Sequence, residues 1–200
     1  MSFTCKNTEL LNQINPVYYE LVEPNVVFVI EETDPKGKAK LNCKSGVPVF
    51  VYKDLDKHMF DVFKKRECAD ALIIENNEEN RSTIVEFKKT INLGNWEKAQ
   101  RQIEGALLQM EVITGMLGLE SGQTNVVIVF LNNKMARERE TSYIDSHVDL
   151  EKRRKSIKTD YSNAWSGNTI SFDRYTNLPL YKVSSSIEGD YFSASFELPE

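Results

Sequence analysis

Asp70, Glu86, Lys88 and Gln102 are the residues whose types and spacing suit hydrolytic chemistry. Asp70 opens the apolar run Ala71-Leu72-Ile73-Ile74. Glu86 and Lys88 lie in Thr83-Ile84-Val85-Glu86-Phe87-Lys88, and the polar stretch Asn76-Asn77-Glu78-Glu79-Asn80-Arg81 separates the two runs. Two short apolar runs around an Asn- and Glu-rich turn predict antiparallel strands joined by a hairpin loop. Alternate residues of a strand share a face, so Glu86 and Lys88 point one way and Val85 and Phe87 the other. Asp70 joins the first face if the hairpin sets the strands in register. Carboxylates among Ala, Leu, Ile and Val are costly unless compensated. A divalent cation compensates them, and Mg²⁺ takes hard oxygen ligands, usually one or two carboxylates with waters and substrate phosphate. Such an ion acidifies its bound water and polarises a phosphate. A lysine on the same strand face orients that water or neutralises charge growing on the phosphoryl oxygens. The chemistry implied is metal-dependent hydrolysis of a phosphodiester. The blander reading is that Glu-x-Lys is a solvated strand face and Asp70 caps a turn or pairs with a lysine.

The elements that must position these residues continue past the hairpin. Trp96, Ala99, Ile103, Leu107, Met110, Ile113 and Leu117 recur at helical spacing, which predicts a helix from about Asn95 to Leu117 packed on a sheet, with Asn95 as its cap. A second stripe, Lys98, Gln102, Gly105 and Gln109, faces either the cleft or solvent. In the first case Gly105 leaves room beside Gln102; in the second it only allows close helix packing. Asn125 to Leu131 then reads as a buried strand. The strand–helix–strand order implies a parallel pair with a crossover helix.

On Asp70, Glu86-Phe87-Lys88 and Gln102 in Ala99-Gln100-Arg101-Gln102-Ile103-Glu104-Gly105-Ala106, the chain resembles the PD-(D/E)xK nuclease superfamily. The likeness covers about Asp54 to Asn133. Ala69 stands where the family name has proline. The resemblance implies a restriction endonuclease-like α/β fold, a mixed β-sheet flanked by helices. It implies a Mg²⁺ ion, or Mn²⁺, bound by Asp70, Glu86 and the backbone carbonyl of Phe87, with Lys88 assisting the attacking water and Gln102 in a supporting role. An acid from an earlier helix often completes such sites, and Asp54, Asp56, Asp61 and Glu67 are the candidates. The expected activity is nuclease, with DNA a more natural substrate than RNA by analogy. Lys89, Lys98, Arg101, Arg137 and Arg139 are candidate contacts to that nucleic acid. The alternative is a non-catalytic nucleic-acid-binding or assembly subunit using the same fold, conceivably in a defence complex. A homodimer or a partner subunit is compatible with either.

The remaining chain divides into a β-rich N-terminal extension over residues 1–53, the nuclease core over 54–133 and a charged, aromatic extension over 134–200, together forming one domain. Thr8 to Ile14 predicts a short helix. Val26 to Ile30, Ala39 to Cys43 and Val47 to Tyr52 predict strands, with Asp34-Pro35-Lys36-Gly37 as a turn. This β-rich piece either extends the central sheet or meets a partner. Leu55, Met59, Phe60 and Phe63 stripe a helix over 54–66. The stretch from Lys134 to Asp160 is densely charged, with Lys152-Arg153-Arg154-Lys155 its most basic run. It reads as a phosphate-backbone contact or as a solvated face. Ile170 to Phe172 and Pro179 to Val183 predict final strands, whereas Ser184-Ser185-Ser186 and Leu198-Pro199-Glu200 read as loop or frayed end.

The formal net charge of −5 argues against a surface coated in positive charge, but a local basic patch suffices for nucleic acid. Cys5, Cys43 and Cys68 have no metal-like spacing and read as free thiols in a reducing compartment. His58 and His147 stand apart from any nucleophile motif. No apolar run approaches the length of a membrane span, and no secretory pattern opens the chain. A soluble, cytoplasmic protein is the expectation.

Overall fold

The computed structural model describes residues 3–12, 14–33, 37–55, 67–77, 79–120, 122–135 and 165–199. It is a mixed α/β architecture. In chain order, α1 (Thr8–Leu11) precedes β1 (Tyr19–Val22), β2 (Val27–Glu32), β3 (Lys38–Lys44), β4 (Val49–Lys53), β5 (Ala71–Glu75) and β6 (Ser82–Ile91). The long helix α2 (Leu93–Leu117) and β7 (Thr124–Asn133) follow. β8 (Thr169–Phe172), β9 (Tyr175–Ser184), β10 (Ser186–Glu188) and β11 (Tyr191–Glu197) complete the order.

A seven-stranded sheet runs β1-β4-β5-β6-β7-β9-β8, and a four-stranded sheet runs β10-β11-β3-β2. In the larger sheet β1, β4, β5 and β6 pair antiparallel. β6 and β7 form the expected parallel pair on either side of α2, and β7 and β9 are also parallel. The β-rich stretch over 1–53 is shared out: β1 and β4 extend the larger sheet, while β2 and β3 build the smaller one with the late strands β10 and β11.

Strand alternation explains the three layers. Phe50, Leu72, Ile74, Ile84, Val126 and Ile128 pack toward α2 and its Trp96, Ile103, Leu107 and Met110. The residues between them, Val49, Val51, Ile73, Val85, Phe87 and Val127, pack toward Phe28, Ile30, Leu41 and Phe192 of the smaller sheet. The central strands are apolar on both faces because both are covered. Each fully buried Leu, Ile or Val contributes roughly 1.5–3 kcal/mol of transfer free energy, so these two cores hold the layers in place.

Several elements differ from the sequence reading. α2 begins at Leu93, and its N-cap is Asn92, not Asn95. The Asn92 side chain accepts the Asn95 N–H at 2.8 Å, while the Asn95 side chain donates to the Thr90 carbonyl at 2.8 Å. Two Asn residues three apart can each cap, and the β6 exit decides which one does. The helix stops at Gly118, whose left-handed φ of 67° suits glycine. α1 ends at Leu11, before Ile14. The short strand β1 was not anticipated. β9 runs through Pro179, which had marked a boundary, and pairs it with Thr169 of β8. The serines read as loop lie at the end of β9 and the start of β10. Leu198 and Pro199 are not frayed: buried Leu198 donates its N–H to the Lys44 carbonyl at 3.0 Å, and Arg81 donates to the Pro199 carbonyl. Of the helix expected over 54–66, residues 56–66 lie outside the described residues, as does the charged stretch from 136 to 160. Among the described residues no helix is long and apolar enough to cross a membrane.

Candidate active site

The β5–β6 register sets Ala71 opposite Val85, and one further step sets Asp70 opposite Glu86. Asp70 is locked to β6 by its backbone and its side chain. Its N–H donates to the Val85 carbonyl at 3.1 Å, and its Oδ2 accepts the Phe87 N–H at 2.7 Å. Glu86 is almost fully buried, at 1% exposure. Together with Lys88 it shares the face of Ile84, which packs toward α2.

Lys88 joins strand to helix. Its Nζ donates to Glu86 Oε1, to Gln102 Oε1 at 2.8 Å and to the Phe87 carbonyl at 3.3 Å. Gln102 is oriented in turn, because its Nε2 donates to the Cys68 carbonyl at 3.2 Å. Gly105, one turn along, makes this approach feasible. A Cβ there would sit 2.1 Å from the Glu67 carbonyl oxygen, far inside contact distance. Gln102 thus faces Lys88, and the tight packing of Gly105 on the Glu67 backbone is compatible with both readings of the stripe. Gln109 does not continue it into solvent, being buried.

A residue that sequence reasoning missed stands beside Asp70. β2 alternates Phe28, Ile30 and Glu32 on its inward face, and the Glu32 carboxyl shares a hydrogen bond with Asp70. The signal was present as an acid ending an inward apolar stripe, but the strand read from sequence stopped at Ile30. Burial first, then the Glu86 charge and the Glu32 hydrogen bond, push the Asp70 pKa well above the ordinary carboxylate range. The Phe87 N–H and the Lys88 charge oppose that shift less strongly.

The other expected residues are dispersed. Lys89 alternates to the opposite face from Lys88, where its Cδ lies 3.6 Å from the position of a Cβ on Gly37. Lys98 is exposed on α2. Arg101 pairs with Glu67 at 3.2 Å and Glu97 at 3.1 Å, so Glu67 has a structural partner. Asp54 has a left-handed φ of 51° at the end of β4, and Leu55 next to it donates its N–H to the Asp70 carbonyl. Asp56, His58, Asp61, Arg137, Arg139 and His147 lie outside the described residues.

Among the described residues, cavities occur elsewhere. One of about 220 Å³ lies between α2 and the β8–β9 turn, lined by Leu107, Phe172, Arg174 and Tyr175. Another of about 490 Å³ lies along β9. Neither includes Asp70, Glu86, Lys88 or Gln102.

The donors of the acid cluster are all oxygens, the set a hard divalent cation takes. With Glu32, Asp70 and Glu86 ionised, three negative charges would face one ammonium. Among the described residues no group of three or more His, Cys, Asp or Glu is placed to hold a metal ion. No family model, curated protein or solved structure matches the chain.

Proposed function

We propose that this chain is a metal-dependent nuclease of the PD-(D/E)xK type with a restriction endonuclease-like fold. The observation that carries the reading is the meeting of Asp70 and Glu86 across β5 and β6, with Lys88 and Gln102 on the same face. Asp70, Glu86 and the Phe87 carbonyl would hold Mg²⁺ or Mn²⁺, and a bound ion supplies an acidified water and polarises the phosphate. The donor chemistry fits, since Mg²⁺ needs only one or two carboxylates and keeps its waters. The chain's own residues do the rest. Phe87 fixes Asp70 through its N–H, Lys88 supplies positive charge where the phosphoryl oxygens gain negative charge, and Gln102 holds that lysine against the helix.

DNA is the favoured substrate and RNA the other, on analogy alone. Exposed Lys98 is a candidate backbone contact, and a homodimer would cut both strands of a duplex. A reducing, cytoplasmic setting agrees with three free cysteines.

The test is cleavage of single- and double-stranded DNA and RNA with Mg²⁺, Mn²⁺ or EDTA, comparing wild type with folded Glu86→Ala and Lys88→Ala. Metal-dependent cutting that falls at least about 100-fold in both variants supports the reading, the size expected when a charge-stabilising group is lost. No cutting together with no metal binding defeats it. A second reading, a binding or assembly subunit in which this site is structural, is favoured by the acidic balance of the chain, a formal net charge of −5.

A further inference from the structure

The Lys88 ammonium has three N–H donors and meets three oxygens: Glu86 Oε1, Gln102 Oε1 and the Phe87 carbonyl. Two of them, from Glu86 and Phe87, belong to the donor set proposed for the metal. The third is aimed by the Gln102–Cys68 hydrogen bond, which fixes which end of the amide faces the lysine. The side chain is only 13% exposed, so water offers little alternative partnership. One carboxylate and two carbonyls around a compact positive charge is a cation nest, and here the cation is the chain's own.

We infer that in the metal-free protein the Lys88 ammonium occupies a cation position of this site, so that a divalent ion can take Glu86 and Phe87 only by displacing it. The inference rests on the proposed metal-dependent reading. It assigns Gln102 a positioning role, as the acceptor that keeps the ammonium beside the site during exchange. Loading and arming then become one event. While all three N–H donors are engaged, Lys88 has none to offer a phosphate or a water. Displacement frees them.

The wild-type protein tests this directly. With ¹⁵N-lysine labelling, a buried, triply bonded ammonium gives a protected NMR signal, assigned by its loss in Lys88→Arg. Saturating Mg²⁺ is expected to abolish or strongly shift that signal. A second arm titrates Mn²⁺ into wild type, Lys88→Met and Lys89→Met. Lys88→Met is expected to bind at least tenfold tighter, and Lys89→Met, changed on the opposite face, to stay within about threefold of wild type. An unchanged lysine signal alongside measurable binding overturns the displacement while leaving the metal reading intact. Equal or weaker binding by folded Lys88→Met does the same. No binding by any of the three proteins overturns both. If Lys88→Met does not fold, the wild-type spectrum alone decides.

Discussion

Phe87 donates its backbone N–H to Asp70 Oδ2 at 2.7 Å, across two strands that each send side chains into both cores. The Phe87 ring packs toward the smaller sheet, edge-on to Phe192, while its backbone serves the acid site. A residue buried for packing thereby sets the position of a carboxylate.

Asp70→Asn keeps the size of the side chain and an oxygen for the Phe87 N–H, while removing a charge that burial and Glu86 disfavour. The variant is expected to melt higher than metal-free wild type, by roughly 2–4 °C for each kcal/mol relieved, and to lose cleavage. A lower melting temperature in calorimetry would contradict this account of Asp70.

The pH dependence has a definite sign. A carboxyl whose folded pKa is raised adds stability below its unfolded pKa, and that stability is lost as pH rises through the folded value. Metal-free protein should therefore lose stability from about pH 4 upward to the raised Asp70 value. Saturating Mg²⁺ should flatten the decline. Denaturant melts across this range, with and without the ion, give the comparison; stability that climbs with pH in the metal-free protein would refute it.

Glu32→Gln replaces a carboxyl that raises the Asp70 pKa with an amide able to donate to it. The Asp70 titration, followed by carboxyl ¹³C NMR, should move to lower pH. An unmoved midpoint would remove Glu32 from the site.

Gly105→Ala forces a methyl group into the Glu67 carbonyl. The helix must shift outward, at a cost of about 1–3 kcal/mol typical of overpacking, and the Gln102–Cys68 bond must lengthen. Activity should fall more than stability alone accounts for, measured well below the melting temperature. Gly115→Ala, which meets nothing within 4 Å, is the control: it should leave activity unchanged and add up to about 1 kcal/mol of stability from helix propensity.

Thiol labelling separates the cysteines. Burial pushes the Cys43 thiol up to about 12, whereas Cys5 is only half-buried. At pH 8 the native protein should react at Cys5, with Cys43 and buried Cys68 labelled only after unfolding. Rapid native labelling of Cys43 would show that the inter-sheet core opens readily.

Much of the central layer could be read from period alone. Ala71 to Ile74 and Thr83 to Lys88 alternate between two covered faces, and α2 carries a clear apolar stripe, so the hairpin, the helix and the parallel partner β7 were all legible. Pairing between remote segments was not. Nothing local to Lys38–Lys44 states that its parallel neighbour is Tyr191–Glu197. Glu32 was missed for the same reason, since its meaning depends on which sheet β2 joins. Asn92 and Asn95 show a smaller limit: composition offered two caps, and only the path of the chain out of β6 distinguishes them.

The parallel pairing of β3 with β11 also governs when the protein can be finished. Ala39 must find Phe192, so closure spans most of the described chain and is slow compared with local hairpin formation. During synthesis β5, β6 and α2 can collapse while β3 still lacks this neighbour. The strand bearing Glu32 pairs with β3, so its final seating waits on the last strand. A ribosome-bound chain would hold Asp70 and Glu86 together before Glu32 arrives, delaying completion of the acid cluster until translation has passed β11.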